Sequence, residues 1–202
     1  MASNIAPLDL TDLPDNLQDR LRPRVERLGY LGDFFRYCGH QPEALLHFYE
    51  FTESLKSALP SDVTETVALT IASRTRNGYE QVQHERLSRR LGFDEDWIST
   101  LVTPEADPAN LSAVQRSARA LALAMLAGCW DEAASWLSRL ADVIGQPQAV
   151  GVLMVSARYL AHSAISNTLH LGLPPPVAAG AKSPPAASTA AVTGNAAGGE
   201  AQ

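Results

Sequence analysis

The stretch Glu65-Thr-Val-Ala-Leu-Thr-Ile-Ala-Ser-Arg-Thr-Arg-Asn-Gly-Tyr-Glu-Gln-Val-Gln-His84 holds the strongest structural and chemical pattern in this chain. Its first half has apolar residues at helical spacing, and Asn77-Gly78 ends or bends that helix. If the segment after Gly78 is helical, Glu80 and His84 stand four residues apart on one face. A carboxylate and an imidazole placed in this way are close enough to share a proton.

Helical spacing continues outward from this stretch in both directions. Leu17, Leu21, Val25 and Leu28 recur at intervals of three and four, which is typical of an amphipathic helix. The segment 150–155 could pass for a buried strand, but it belongs to a longer helical pattern. Helices are expected at about 17–28, from 32, from 42, from 61 to 77, at 79–91, from 94, at 111–126, at 130–144 and from 147 to 171. The sequence therefore predicts an all-α, single-domain helical bundle.

Local signals predict where several helices begin and end. Pro42 suits the first turn of the third helix, and Ser61 is a plausible N-cap of the fourth. Gly92 should provide the left-handed stop of the helix that carries Glu80 and His84.

Composition changes at both ends of the chain. Residues 173–202 consist mostly of Pro, Ala, Gly, Ser and Thr, which bury too little apolar surface to offset the entropy of ordering. We expect residues 1–14 to be loose, 15–172 to form the helical domain, and 173–202 to be a disordered tail.

Charge and hydropathy narrow the expected partners. A net charge of -6 and a pI near 5.3 give no electrostatic reason to expect nucleic acid or an anionic membrane. The basic run Arg86, Arg89 and Arg90 is typical of a solvated helix face. No apolar run reaches the ~18 to 20 residues of a membrane span, and the first residues lack a signal-peptide pattern. We therefore expect a cytoplasmic protein, and its very apolar helices predict a homo-oligomer.

The two cysteines, Cys38 and Cys129, lie far apart in the chain and provide neither a disulfide framework nor a metal cluster. Glu65, Glu80 and His84 are possible metal ligands by type, but a second histidine is missing. We expect neither a metal nor a cofactor.

The order Glu65, then Asn77-Gly78-Tyr79-Glu80, then His84, then Leu91-Gly92 resembles the carboxymuconolactone decarboxylase family. The resemblance covers roughly 28–172. It implies the fold that this family shares with alkylhydroperoxidase D.

The peroxidase branch of that fold carries a Cys-x-x-Cys pair, and its two positions fall on Asn77 and Glu80 in this chain. Neither residue forms a disulfide or a thiolate. The decarboxylase-type branch has Tyr-Glu-x-x-x-His at the same place, which Tyr79, Glu80 and His84 match. The resemblance thus implies a decarboxylase-type protein and argues against thiol peroxidase activity.

The expected activity is acid/base chemistry on a small carboxylated substrate, of the decarboxylase or lactone type. The resemblance implies that Glu80, His84 and Glu65 are the catalytic residues, because a histidine gives or accepts protons near neutral pH. The candidates for substrate binding are Tyr79, Asn77 and Arg76, and Arg74 and Arg86 are further candidates for a carboxylate contact.

Three alternatives remain open. Glu80 and His84 could be an ordinary surface pair worth ~0.2 to 0.5 kcal/mol. The protein could be a non-catalytic helical oligomer that binds a small ligand or partner through the same cavity. The least favoured alternative is an antioxidant activity of the alkylhydroperoxidase or peroxiredoxin type.

Overall fold

The structure is a computed structural model that describes residues 4–103 and 106–176. Within those residues the chain is helical, with no strand, as the sequence predicts. The α-helices are Asp15–Leu28 (α1), Asp33–Cys38 (α2), Pro42–Ala58 (α3), Ser61–Arg74 (α4), Gly78–Leu91 (α5), Glu95–Val102 (α6), Ala113–Ala127 (α7), Trp130–Ile144 (α8) and Gln146–Thr168 (α9). Short 3₁₀ turns occur at Leu10–Asp12 and Pro108–Asn110.

The predicted helix ends agree with the structure in two cases and differ in a third. Pro42 lies in the first turn of α3, and Gly92 follows α5 with a φ of 91°. Ser61 is the first residue of α4, and the N-cap position belongs to Pro60, whose side chain makes no capping hydrogen bond. The helix begins at Ser61 because the fixed φ of Pro60 holds the preceding extended turn.

Helix α4 runs through the middle of the bundle. It packs against α5, α6, α7 and α9, and every side chain from Val63 to Ala72 is buried. A helix that is buried all round belongs to the interior of a fold. Any polar side chain on α4 is consequently buried too, and Glu65 is 2% exposed.

Two apolar clusters flank the site. The larger one joins α4 to α7, α8 and α9 and includes Val67, Leu121 and Tyr159. The second one brings Leu21 of α1 and Phe34 of α2 against α5. The candidate functional side chains lie between these two clusters.

The N-terminal segment departs from the sequence-based expectation of a loose end at 1–14. Leu13 is 4% exposed and packs in the second cluster, and the Leu8 amide donates a 3.0 Å hydrogen bond to the Arg36 carbonyl. Leucines at 8, 10 and 13 bury enough apolar surface to hold the described part of this segment against α2.

The C-terminal segment is described as far as Pro176, and Arg86 Nη1 donates a 2.8 Å hydrogen bond to the Pro175 carbonyl. Most of the predicted tail, 177–202, lies outside the described residues.

By length and composition alone, α9 could cross a membrane, although 56% of its apolar window is buried inside the fold. Core helices pass the same test, so this is weak evidence for a membrane span.

Candidate active site

The connection between α4 and α5 sets the direction of the helix that carries Glu80 and His84. Arg76 adopts a left-handed φ of 54° and turns the chain. Asn77 caps α5, because its side-chain oxygen accepts a 3.2 Å hydrogen bond from the Glu80 amide. Its side-chain amide donates at 3.3 Å to Ser163 Oγ on α9. The Asn-Gly break therefore fixes α5 against both α4 and α9.

Glu65 and His84 form the shortest contact of the site. Glu65 Oε2 lies 2.7 Å from His84 Nδ1, and both side chains are buried. Ser88 Oγ donates to the same carboxylate oxygen at 3.5 Å. The carboxylate accepts the proton on Nδ1, so the His84 ring is held with Nε2 facing away from α4.

Nε2 of His84 faces Glu80, whose Oε2 lies among three nitrogen atoms. The distances are 3.5 Å to His84 Nε2, 3.5 Å to His162 Nδ1 and 3.6 Å to Arg158 Nη1. All three lie at or beyond the outer limit of hydrogen bonding, and Glu80 Oε2 has no hydrogen-bond partner within the described residues. A buried carboxylate oxygen is thus surrounded by donors but not closely bound by any of them.

Charges alternate through the site at neutral pH. Burial by itself lowers the pKa of His84, but Glu65 and Glu80 outweigh it and raise that pKa to about 9. Burial favours neutral Glu80, yet His162, His84 and Arg158 together hold the pKa of Glu80 well below its usual value. The site therefore holds an imidazolium between two carboxylates.

His162 contributes no positive charge at neutral pH. Burial lowers its pKa to about 3, against the attraction of Glu80. The ring stacks on Phe34 at 3.9 Å between centroids, and Nδ1 lies 3.1 Å from Ser166 Oγ. The cations that act on Glu80 near pH 7 are consequently His84 and Arg158.

Helix α9 supplies the part of the site that the motif does not contain. Arg158 Nε donates a 2.9 Å hydrogen bond to Thr52 Oγ1 on α3, while its buried Nη1 has no hydrogen-bond partner among the described residues. Tyr159 meets the His84 ring edge-on at 5.1 Å, and nothing in the described part of the chain hydrogen-bonds its buried hydroxyl. The sequence offered only the weak signal that Arg158, Tyr159 and His162 share one face of a helix.

These side chains open onto a cavity of about 280 Å³. Aromatic rings form much of its apolar wall, among them Phe34, Phe48, Tyr79 and Tyr159. Glu80, His84, Arg158 and His162 all line it, which places the alternating charges at an accessible surface. A cavity of this kind with a few convergent polar groups is typical of a small-molecule site.

The other residues predicted from sequence are placed differently. Tyr79 lines the cavity, and its hydroxyl accepts a 3.4 Å hydrogen bond from the Phe34 amide. Neither Glu65 nor Asn77 lines the cavity. Glu65 contacts the lining residue His84, and Asn77 accepts a hydrogen bond from the amide of the lining residue Glu80. Arg76 is exposed and outside the lining as well. Arg86 is the one predicted carboxylate contact that does line the cavity.

The cysteines and the possible metal ligands were located among the described residues. Cys38 and Cys129 are free thiols away from the cavity, and burial raises the pKa of Cys38 to about 11. No group of three or more His, Cys, Asp or Glu side chains in the described part of the chain is arranged to hold a metal.

Comparison with known proteins gives solved structures of similar fold. Protein-family models and curated proteins give no match. A structure of an alkylhydroperoxidase AhpD core, an uncharacterized peroxidase-related protein from Ralstonia eutropha JMP134, superposes with a TM-score of 0.71 at 16% identity. It covers 86% of this chain and 94% of that one.

The debrominase Bmp8 is also similar in structure. Its apo form superposes with a TM-score of 0.69 at 16% identity, covering 86% of this chain and 94% of that one. A cysteine-to-alanine variant in complex with 2,3,4-tribromopyrrole gives 0.68 at 15% identity, covering 86% and 93%. The chain therefore has the alkylhydroperoxidase D-like fold.

Proposed function

We propose that this protein catalyses acid/base chemistry of the decarboxylase or lactone type on a small carboxylated substrate, without thiol redox. The observation that carries the proposal is the buried array of Glu65, His84 and Glu80, which opens onto a cavity beside Arg158. Paired carboxylates around an imidazolium are suited to moving protons.

His84 is the proton donor in this proposal. Its pKa of about 9 keeps it protonated at neutral pH, and Glu65 fixes the ring so that Nε2–H faces the cavity side. Glu80 lies 3.5 Å from Nε2, far enough for a substrate atom to compete for that proton. Glu65 acts through His84 and is a positioning residue.

Arg158 is the best candidate to hold the substrate carboxylate. Its buried Nη1 has no hydrogen-bond partner within residues 4–103 and 106–176, and Thr52 fixes the guanidinium through Nε. The rings of Phe48 and Tyr159 lie 5.2 and 4.4 Å from the guanidinium carbon. An arginine held in this way keeps donors available for a planar carboxylate.

Decarboxylation of a β,γ-unsaturated acid balances with these groups alone. The bond between the α-carbon and the carboxylate breaks, its electron pair forms the α,β double bond, and the former β,γ π-electrons bind a proton at the γ-carbon. His84 gives that proton, carbon dioxide leaves, and neutral His84 regains a proton from water. No electron acceptor is consumed.

Thiol chemistry is a poorer match for the site. Asn77 and Glu80 occupy the two positions of the cysteine pair, and both free thiols lie away from the cavity. A protein of the same fold is described in complex with 2,3,4-tribromopyrrole, which supports a ligand the size of a small ring.

The test is a panel of unsaturated lactone carboxylates and β,γ-unsaturated acids incubated with protein in D₂O. We expect carbon dioxide release, with deuterium at one product carbon, and loss of both in His84→Gln. Turnover that is the same in His84→Gln would contradict acid/base catalysis. Saturable binding of a panel member without turnover would instead favour the non-catalytic alternative.

A further inference from the structure

Several basic side chains line the cavity that also holds Glu80 and His84. Arg24 and Arg27 stand three residues apart on α1, so they share a face, and Arg90 reaches the same cavity from α5. We call these three side chains the arginine cluster. Glu53 is the only acid besides Glu80 among the described residues that line the cavity.

The arginine cluster lacks the partners that its neighbours have. Glu53 Oε1 lies 3.4 Å from Lys56 Nζ, and Arg86 donates to the carbonyl of Pro175. Within the described residues, no carboxylate lies at ion-pair distance from Arg24, Arg27 or Arg90. In the same described part of the chain, the buried Arg24 Nε has no hydrogen-bond partner, although the guanidinium lies 5.1 Å from the Phe35 ring centroid.

The cationic groups destabilise one another. Burial lowers the pKa of Arg27, the positive charges of Arg24 and Arg90 lower it further, and Glu53 only partly offsets them. Burial likewise lowers the pKa of Lys56, and Arg24 adds to the effect. Arg24 and Arg27 are half-buried and Arg90 is exposed. Like charges close together, two of them partly removed from water, raise the free energy of the unliganded protein. An anion bound among them would relieve that cost.

The cluster is a local feature in an acidic protein. The whole chain carries a net charge of -6, so a general excess of arginine does not explain it. Of the basic run that suggested a solvated helix face, Arg89 and Arg90 are exposed and Arg86 is half-buried. Arg86 and Arg90 also line the cavity, whereas Arg89 pairs with Glu95 at 2.6 Å.

We propose that the arginine cluster of Arg24, Arg27 and Arg90 is an anion subsite that binds a phosphate-type dianion. Three guanidinium groups from two helices exceed the single charge of one carboxylate and can surround a tetrahedral oxyanion. This subsite goes beyond the proposed function, because it does not depend on the reaction at His84.

The charge requirement is tested by calorimetric titration at constant ionic strength, with methyl phosphate and dimethyl phosphate as probes. Methyl phosphate, the dianion, has one more negative charge and one more terminal oxygen than dimethyl phosphate, the monoanion. We expect it to bind at least tenfold more tightly, because it can make more charge-assisted hydrogen bonds to the guanidinium groups. Equal affinity for the two probes would overturn the proposal.

Variants locate the subsite. Arg27→Gln and Arg90→Gln should each weaken methyl phosphate binding about tenfold or more. Arg22→Gln is the matched control, because Arg22 is an exposed arginine on α1 outside the cavity lining. Circular dichroism checks that each variant folds. Undiminished binding in both cluster variants would overturn the proposal.

The anion subsite and the acid/base reaction at His84 can be contradicted independently of each other. His84→Gln should leave methyl phosphate binding within about twofold of the unmodified protein. If His84→Gln loses phosphate binding and Arg27→Gln keeps it, the anion binds near His84 and not at the arginine cluster. That result would contradict the subsite proposal. Turnover of the carboxylate panel has no bearing on this result.

Discussion

Glu65 Oε2 of α4 lies 2.7 Å from Nδ1 of His84 of α5, and both side chains are buried. The contact fixes the orientation of the His84 ring and points Nε2 toward Glu80 and the cavity. Helix α4 is buried in the middle of the bundle, and the Glu65 carboxylate, 2% exposed, contacts His84 and Ser88. The orientation of a cavity-lining histidine therefore depends on a residue that does not line the cavity.

Replacing His84 should remove proton donation while keeping the fold. In His84→Gln we expect turnover of the carboxylate panel to fall by about 10²-fold or more, which is the usual contribution of a general acid. The measurement is the rate of carbon dioxide release. His47→Gln is the matched control, since His47 is an exposed histidine of α3. A rate close to that of the unmodified protein would remove His84 from the mechanism.

Stability at alkaline pH should depend on His84. Its pKa is about 9 in the folded state and about 6.5 when unfolded, so the folded state binds its proton more tightly. That stabilisation is complete below pH 6.5 and is lost as pH rises through 9. Urea unfolding at a series of pH values across this range should show the decline in the unmodified protein. In His84→Gln the decline should be smaller, and an identical decline would contradict the assignment.

The fold and half of the site follow from local sequence. The 3.6-residue period predicts the helices, and the i, i+4 spacing of Glu80 and His84 predicts their contact. Glu65 could be linked to them only through the resemblance, because nineteen positions separate it from His84. In the structure, Glu65 and His84 meet because the turn at Arg76 and the cap at Asn77 direct α5 back along α4.

The contribution of α9 could not be predicted. Arg158, Tyr159 and His162 share a helix face, but nothing local says which helix that face meets. The side chains of an apolar helix such as α9 pack equally well in many orientations as far as sequence shows. A role for Arg158 in the candidate site can be inferred only from its contacts with Thr52 and Glu80 in the structure. The N-terminal leucines pose the same difficulty, since their burial depends on where α2 lies.

Glu65 should act as a positioning residue. Glu65→Gln retains a hydrogen-bond acceptor for His84 but removes the charge that most raises its pKa. We expect the alkaline limb of the rate profile to move down by about 1 to 3 units. The kcat of panel turnover should fall while KM changes little. The control is Glu85→Gln, which alters a half-buried glutamate of α5 that bonds Gln81. An unshifted pH profile would reduce Glu65 to a structural role.

Arg158 should affect substrate affinity more than the chemical step. Arg158→Gln removes the cation next to Glu80, so KM for panel acids should rise about tenfold or more, with a smaller change in kcat. Thr52→Val keeps the charge but removes the 2.9 Å hydrogen bond to Nε, and it should raise KM by a smaller factor. Arg139→Gln, on the surface of α8, is the control. An unchanged KM in Arg158→Gln would exclude a carboxylate contact there.

A substitution at Gly39 tests whether the N-terminal segment packs against the end of α2. A Cβ at Gly39 would lie 2.5 Å from Leu13 Cδ2 and 3.0 Å from the Phe35 carbonyl oxygen. Gly39→Ala should therefore destabilise the protein by about 1 to 3 kcal/mol in urea unfolding, as overpacking does. Gly172→Ala, where nothing lies within 4 Å, should change little.

The double variant Leu13→Ala, Gly39→Ala gives the sharper result. Leu13→Ala should cost about 2 to 5 kcal/mol alone, because the side chain is buried. Removing Leu13 also removes the closest clash at Gly39, so the double variant should be more stable than the sum of the two single changes predicts. Purely additive energies would mean that residues 8–13 do not pack on α2, and the segment would then be loose, as its sequence suggested.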